Sequence, residues 1–309
     1  MGVLAVQMAV AAAAIYFACD FFTNGVEWLG RRTGLSQTAT GSLLAAFGTA
    51  LPESIVTLNA VAFGSGLAQQ DIGIGAAMGG PMVLSTFGYG MIGLMVLRRR
   101  RLAPVQSLPL RWLARDQFWF LALFAGAAVL GLAHLAWKPV FGLFLIAAYA
   151  LYVHGEIAAA DEPDAAVDLA PLAFRPREDE PGLGWIALQL GLSLVAIFVA
   201  ARIFVGGLET LGATLGLSPQ VAALLLSPIA TEMPEMMNSI LWMRQGKIQL
   251  ALANISGAMM IQATIPAAFG LIFTPWLFEG PVIAAAALTL FATALAMAIV
   301  NARRAAWAG

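Results

Sequence analysis

An all-α integral membrane protein is the fold class that this sequence predicts, and three observations predict it. Hydrophobic residues make up 61% of the 309 residues and charged residues only 11%, whereas soluble domains are about half apolar and about a quarter charged. Several apolar stretches exceed the roughly 18 residues that a transmembrane helix needs. A segment of the chain also occurs twice, which indicates a fold built from two related halves.

Nine apolar segments, bounded by Gly, Pro and charged residues, are predicted to cross the bilayer. They cover 3–22, 37–62, 71–97, 117–134, 138–155, 183–205, 218–243, 249–273 and 281–301. With the N-terminus outside, fourteen of the sixteen basic residues fall on the cytoplasmic side, as the positive-inside rule requires. We therefore expect about nine helices in a plasma or inner membrane, with the C-terminus cytoplasmic. The lipid bilayer is the expected partner, the arginines could also bind anionic headgroups, and no nucleic-acid partner is expected.

The polar segment 156–182 separates a first half, 1–155, from a second half, 183–309. Eight acidic residues stand there among prolines and alanines, a composition typical of a flexible linker. The acids lack the regular spacing of a folded calcium loop. We therefore interpret the segment as an acidic cytoplasmic linker rather than a regulatory calcium site.

The internal repeat aligns 22–53 with 204–235 at an offset of 182 residues, without a gap. Thirteen of the thirty-two pairs are identical, where about two or three would be expected from the amino-acid usage of apolar chains. Five predicted spans precede the first helix of the second copy. Because five is odd, the two copies should enter the membrane from opposite faces. Such inverted repeats are typical of secondary transporters, whose binding sites lie at the midplane between broken helices.

Each copy is most polar at a Thr-x-x-Pro-Glu motif inside an apolar helix. Glu53 lies sixteen residues into its predicted span and Glu235 seventeen, where a charge costs several kcal/mol unless it meets water, a partner or a cation. The prolines that precede them have no N–H, so the carbonyls of Gly48 and Ala230 should lose their helical partners and the helices should kink.

Together the two motifs would supply two or three carboxylates, two hydroxyls and freed carbonyls, the hard oxygen ligands that Ca²⁺ prefers. The candidate metal ligands are Glu53, Glu235, Thr49, Thr231, Glu232, Gly48 and Ala230. One buried glutamate could be a protonated acid that stabilises a kink. Two at equivalent positions of a duplicated motif favour a functional site.

Other polar and sulfur-containing residues are better explained by packing. The single Cys19 excludes a cysteine cluster, and His134 and His154 stand twenty residues apart near helix ends, so interfacial packing is favoured for all three. The methionines near Glu235 are typical core fillers. Asp20, Glu27 and Glu209 lie near helix ends and are expected at interfaces.

The two glutamate motifs, together with the small-residue segments 73–80 and 250–257, resemble the two alpha repeats of the calcium/cation antiporter superfamily, to which the sodium/calcium exchangers belong. The resemblance covers about 20–97 and 202–273. It implies that Glu53 and Glu235 bind Ca²⁺ at the centre of the molecule and that Thr49 and Thr231 contribute oxygens. It also implies that Na⁺ or H⁺ is exchanged for Ca²⁺.

The chain departs from the superfamily at several sodium ligands. Family sequences read Gly-Ser-Asn where this chain has 79–81 and 257–259, and the following Asn or Asp corresponds to Leu84 and Gln262. Glu232 stands at the position of a family serine and adds a third carboxylate. Because carboxylates crowded in a medium of low dielectric constant cannot all stay ionised, these changes favour a proton over sodium as the counter-ion.

The sequence therefore predicts a secondary active antiporter that exchanges a divalent cation, Ca²⁺ or a similar ion, for H⁺ or Na⁺. The alternative is a membrane protein that keeps the exchanger fold but binds or senses an ion without coupled transport. No enzyme is expected, because the chain shows no nucleophile paired with a base and no histidine metal site. The sequence leaves the oligomeric state open.

Overall fold

The computed structural model describes the backbone of residues 2–63, 67–98, 111–158, 169–214, 231–278 and 280–305, together with Leu224 and Pro228. Some side chains inside these ranges lie outside the description, and Glu53 is one of them. Every regular element in the described part of the chain is a helix, which confirms the all-α prediction for that part.

Nine helices have their bounds within the described residues, and each overlaps one of the nine predicted segments, of which 218–243 is described mainly from 231 onward. They are α1 (Gly2–Thr33), α2 (37–62), α3 (67–98), α4 (Arg111–Leu130), α5 (Lys138–Ala158), α6 (Leu183–Thr214), α7 (Met233–Gln245), α8 (Ile248–Phe273) and α9 (Gly280–Ala305). Within the described residues, seven helices are long and apolar enough to cross a membrane, and α2 and α7 are not among them. The number of nine crossings therefore stays a prediction.

Helix α8 lies at the centre of the molecule. In its most apolar 18-residue window 83% of the residues are buried, against 22% in α1 and 28% in α9. It packs against α2, α3, α4, α5 and α7. Large apolar side chains such as Val6, Val140 and Phe291 instead face outward from the peripheral helices, as expected where lipid replaces water. The interior can therefore hold polar groups while the outer surface remains apolar.

Helices α1 and α6, the first helices of the two copies, pack side by side in antiparallel directions. A Cβ on Gly25 of α1 would lie 2.9 Å from Leu190 Cδ2, and a Cβ on Gly207 of α6 would lie 2.6 Å from Met8 Cγ. The 182-residue offset makes Gly25 equivalent to Gly207 and Met8 equivalent to Leu190. The two contacts are therefore the same contact, made once from each copy. The small glycine at each point lets the helices approach closely.

The second and third helices of the copies also make matching contacts. A Cβ on Gly79 of α3 would lie 3.0 Å from the carbonyl oxygen of Leu224, and a Cβ on Gly257 of α8 would overlap the backbone of Ser42 in α2. The repeat makes Ser42 equivalent to Leu224. In both cases a glycine in the third helix of one copy lies against the second predicted segment of the other copy. The contacts between the two copies are therefore reciprocal.

The helix that contains Pro52 has an irregular stretch about two to three turns before the proline. Helix α2 consists of Gln37–Ala39, a π-helical stretch Thr40–Ala45 and an α-helix Ala46–Ala62 that continues through Pro52. Helix α3 contains a second π-helical stretch, Leu84–Gly88. The helical assignment therefore continues through Pro52, and the kink expected there stays a prediction. A single missing N–H can be tolerated inside a membrane helix when neighbouring turns adjust, and π-helical turns frequently occur at functional sites.

The predicted linker 156–182 includes two parts with a defined position. Glu156 belongs to α5, and residues 169–182 pack across α1 and α6. Leu172 is fully buried against Trp28 and Ile186, and the indole Nε1 of Trp28 donates to the carbonyl oxygen of Ala170 at 2.9 Å. This ordering was not foreseen in a flexible linker, because the apolar Leu172 had no visible partner in the sequence. The acids at 161, 162, 164 and 168 lie outside the described residues.

Candidate cation site

Glu235 lies in the first turn of α7, near the centre of the molecule. It is 1% exposed, and α7 begins at Met233 with a proline in its first two positions. The helical pattern is interrupted at Glu232, just before Pro234, as predicted from the missing N–H of proline. A carboxylate in the first turn also lies at the positive end of the helix dipole. The interrupted helix therefore places the Glu235 carboxyl group at a buried helix N-terminus, where the helix dipole offsets part of the cost of burying a negative charge.

Glu232 connects three helices through its carboxylate. Its side chain is fully buried and its Oε2 accepts a hydrogen bond of 2.7 Å from the amide Nε2 of Gln262 in α8. Its Oε1 lies 3.3 Å from the hydroxyl of Thr231, which donates to it. A Cβ on Gly80 of α3 would stand 3.0 Å from Glu232 Oε1 and also 3.0 Å from Gln262 Nε2. The sequence predicts that the sodium ligands at positions 80 and 262 are lost or changed. In the structure both positions lie against Glu232.

The first copy contributes a helix face that is described only in part. Thr49 is buried, and its hydroxyl donates to the carbonyl oxygen of Ala45 at 3.1 Å. Gly48 faces Phe22, whose ring would lie 2.8 Å from a Cβ at that position. The side chain of Glu53 and the whole of Ala230 lie outside the described residues. The predicted pairing of Glu53 with Glu235 therefore stays a prediction.

Buried amides and hydroxyls that the sequence analysis missed lie next to Glu235. Asn254 of α8 donates from Nδ2 to the backbone oxygen of Glu235 at 2.9 Å and to Ser239 Oγ at 3.1 Å. Asn238 is fully buried, and neither of its amide atoms has a hydrogen-bond partner in the described part of the chain. The missed signal was helical spacing, because residues three and four positions after Glu235 share its face. These side chains make the surroundings of Glu235 polar.

Two other groups of buried charges lie away from the glutamate motifs. Glu27, predicted at an interface, accepts from Trp242 Nε1 at 2.7 Å and pairs with Lys247, so it joins α1 to the ends of α7 and α8. Asp116 of α4 is fully buried and accepts from Tyr152 and from Ser256, each at 3.1 Å.

Arg115 connects Asp116 to a second buried acid. Its guanidinium pairs with Asp116 and with Glu156 of α5, and Glu156 accepts from Ser42 Oγ at 3.2 Å. Asp116 was placed just before a span that was predicted to begin at 117. Its partners are distant in sequence, so no local pattern could reveal them. We interpret both groups as links between helices.

The described side chains alone do not complete a metal centre. No three His, Cys, Asp or Glu residues among them converge as metal ligands. The lone thiol of Cys19 is buried and donates to the carbonyl oxygen of Pro234 at 3.8 Å, which is consistent with packing. A cation near Glu235 would therefore depend on Glu53, together with hydroxyl, amide and carbonyl oxygens.

Comparison with known proteins decides the family. The chain matches the family described as sodium/calcium exchanger protein over residues 3–157 and 185–308. The chain belongs to the sodium/calcium exchanger protein family. This membership confirms the resemblance drawn from the two glutamate motifs, and it places the chain among membrane cation antiporters rather than enzymes. The match leaves out 158–184, which is nearly the segment predicted to separate the halves.

Three known proteins are similar to this chain over most of their length. Inner membrane protein YrbG of Escherichia coli K12 is 27% identical over 271 residues, which cover 84% of this chain and 77% of that protein. A putative antiporter, CaxA of Alkalimonas amylolytica, is 22% identical and covers 94% of this chain and 86% of its own length. An uncharacterized membrane protein of Methanocaldococcus jannaschii, MJ0091, is 23% identical over 79% of this chain and 73% of its own length.

A solved structure shows that the exchanger fold extends over nearly the whole chain. The sodium-calcium exchanger NCX_Mj, soaked with Na⁺ and Sr²⁺, superimposes with a TM-score of 0.71 at 20% sequence identity. The match covers 96% of this chain and 90% of that protein. At this level of identity the likeness concerns the fold alone. The ligands of any cation must therefore be argued from the residues of this chain.

Proposed function

We propose that this protein is a secondary active antiporter that exchanges a divalent cation, Ca²⁺ in the first instance, for H⁺ or Na⁺. Family membership supports cation antiport as the general activity. The observation that carries the divalent cation is the complete burial of Glu232 and Glu235 within one helical turn at the centre of the molecule. Two neighbouring carboxylates in a medium of low dielectric constant are strongly stabilised by a doubly charged ion.

Glu53 completes the proposed site from the other copy of the repeat. The reciprocal contacts of Gly79 and Gly257 bring the second and third helices of the two copies against each other. The antiparallel packing of α1 and α6 supports inverted copies. Two inverted copies would bring Glu53 and Glu235 to opposite sides of one cation, with Thr49, Thr231 and the carbonyls of Gly48 and Ala230 as further oxygen ligands. Carboxyl groups separated by more than about 8 Å could not share a cation whose bonds to oxygen are about 2.4 Å long, and such a separation would contradict the proposal.

We favour H⁺ over Na⁺ as the counter-ion. Three positions at which family members carry hydroxyl or amide oxygens are Gly80, Leu84 and Ala258 in this chain. Leu84 and Ala258 are fully buried and offer no side-chain oxygen to a sodium ion. Of the positions 80, 84, 258 and 262, only Gln262 keeps a side-chain oxygen, and its Nε2 donates a hydrogen bond to Glu232 Oε2.

Ion-driven flux in proteoliposomes tests the proposal. Vesicles loaded with Ca²⁺ are placed under a Na⁺ gradient or a pH gradient at clamped voltage, with protein-free vesicles as the control. We expect Ca²⁺ efflux to follow the pH gradient more strongly than the Na⁺ gradient. Efflux driven by Na⁺ and indifferent to pH would contradict the choice of counter-ion. Absence of flux under either gradient would contradict antiport of Ca²⁺.

The second candidate function is ion binding or sensing without coupled transport. The bond between Glu232 and Gln262 favours it, because a carboxylate fixed to a neighbouring helix could hold the centre in one conformation. A protein that binds Ca²⁺ in a calorimetric titration but shows no flux in the vesicles would support this second candidate.

A further inference from the structure

Three departures from the family meet at one point in the structure. Glu232 lies at the start of α7, Gln262 in the middle of α8 and Gly80 in α3. The Gln262 amide donates to Glu232 Oε2 at 2.7 Å, and both side chains lie 3.0 Å from where a Cβ on Gly80 would be. Glu232 and Gln262 are almost completely buried. We call these three residues the tethered-glutamate unit.

The glycine is a steric requirement of the unit. A Cβ at position 80 would stand 3.0 Å from both the carboxylate of Glu232 and the amide of Gln262, closer than most Cβ atoms approach their neighbours. A side chain at position 80 would therefore require the carboxylate or the amide to shift by a few tenths of an ångström. The position of the Glu232 carboxylate is therefore coupled to the absence of a side chain at position 80.

The unit holds a second carboxyl group close to Glu235. The backbone oxygen of Glu232 accepts from the N–H of Met236 at 3.0 Å, so Glu232 and Glu235 occupy one helical turn. Coulomb attraction to a fixed carboxylate scales with the charge of the cation. An added carboxylate therefore stabilises a bound divalent ion about twice as much as a bound monovalent ion at the same distance.

We propose that the tethered-glutamate unit determines the selectivity of the centre, by favouring divalent cations over Na⁺. The proposal rests on the proposed function, since it requires a cation beside Glu235. Gln262 acts as a positioning residue that keeps the carboxylate in place. Gly80 leaves the space that the carboxylate occupies.

The test is a double-mutant cycle read out by binding of the metal alone. Purified protein is titrated with Ca²⁺ by calorimetry, with and without competing Na⁺, for Glu232→Ser, Gly80→Ala and the combination of both. Gly75→Ala is the matched control, because Gly75 lies on the same helix and a Cβ there would meet none of the described atoms within 4 Å. Gln262→Met, which keeps the chain length but removes the amide, tests the tether without a change at position 80.

We expect Glu232→Ser to lower the ratio of Ca²⁺ to Na⁺ affinity by about tenfold or more, because affinity follows the charge of the ligand set. Gly80→Ala should weaken Ca²⁺ binding by about threefold or more in the otherwise unchanged protein, and by less than about twofold when Ser replaces Glu232. Gln262→Met should lower the same selectivity ratio, and Gly75→Ala should change nothing.

Two results would overturn the inference while leaving the proposed function intact. One is an equal effect of Gly80→Ala in both backgrounds, and the other is an unchanged selectivity ratio in Glu232→Ser. Lack of Ca²⁺ binding by the unchanged protein would contradict the proposed divalent site and, with it, this inference. If the protein binds Ca²⁺ but the effects of Glu232→Ser and Gly80→Ala simply add, the proposed function stands and the role of the tethered-glutamate unit does not.

Discussion

Gly207 of α6 faces Met8 of α1 so closely that a Cβ on the glycine would lie 2.6 Å from Met8 Cγ. The equivalent contact joins Gly25 to Leu190. Along α1 the contacts advance from Met8 to Gly25 while along α6 they go back from Gly207 to Leu190. Two copies in the same orientation would instead pair Met8 with Leu190.

Cysteine cross-linking distinguishes these arrangements. In a Cys19→Ala background, we expect Met8→Cys with Gly207→Cys to form a disulfide under mild oxidation. A Cβ at position 207 would touch the side chain at position 8, so the two Cβ atoms can come within disulfide distance. The control pair, Met8→Cys with Leu190→Cys, should not cross-link within one chain, since seventeen residues of helix separate positions 190 and 207 by about 25 Å. Cross-linking of the control pair alone would contradict inverted copies.

Gly257 provides a test of the packing at the centre. A Cβ at this position would overlap the backbone of Ser42, and backbone cannot move aside as a side chain can. We expect Gly257→Ala to destabilise the protein by about 1–3 kcal/mol or more through overpacking. Thermal unfolding in detergent measures the effect. Gly75→Ala is the control and should be neutral or slightly stabilising, because alanine is the better helix former.

The pairing of Glu27 with Trp242 tests how α1 is attached to α7. Replacement of Trp242 by Phe removes the indole N–H that donates to Glu27 Oε1 and leaves a buried carboxylate with one partner fewer. The expected cost is about 1–3 kcal/mol of stability, seen as a lower unfolding midpoint. Trp119→Phe is the matched control, since Trp119 is 46% exposed on α4. Equal midpoints for both variants would mean that the bond contributes nothing.

The positions of the helices could be predicted from sequence because the bilayer fixes how long an apolar segment must be. Each of the nine predicted segments overlaps a helix in the described residues, although most of 218–230 lies outside them. The 182-residue offset also identified pairs, such as Gly25 with Gly207, that make equivalent contacts. These predictions worked because hydrophobicity and repetition are written directly in the order of residues.

Contacts between distant polar residues could not be predicted in this way. Asp116 was placed outside its helix because an apolar window stops at a charge, while Ser256, its partner, lies 140 residues away. The sequence predicts that Gln262 is an altered sodium ligand, and it does not indicate the hydrogen bond that Gln262 donates to Glu232. The sequence identified which residues are unusual, and only packing shows which of them meet.

Ca²⁺ flux through Glu53→Gln and Glu235→Gln variants tests the central claim most directly. The amide keeps the shape of the side chain and removes the charge that a divalent cation needs, so we expect each change to abolish transport while the protein remains folded by size-exclusion chromatography. Asp20→Asn is the control, because it makes the same chemical change at an exposed acid of α1 and should leave flux unchanged. Near-normal Ca²⁺ uptake by either glutamine variant would contradict a cation site built on these two glutamates.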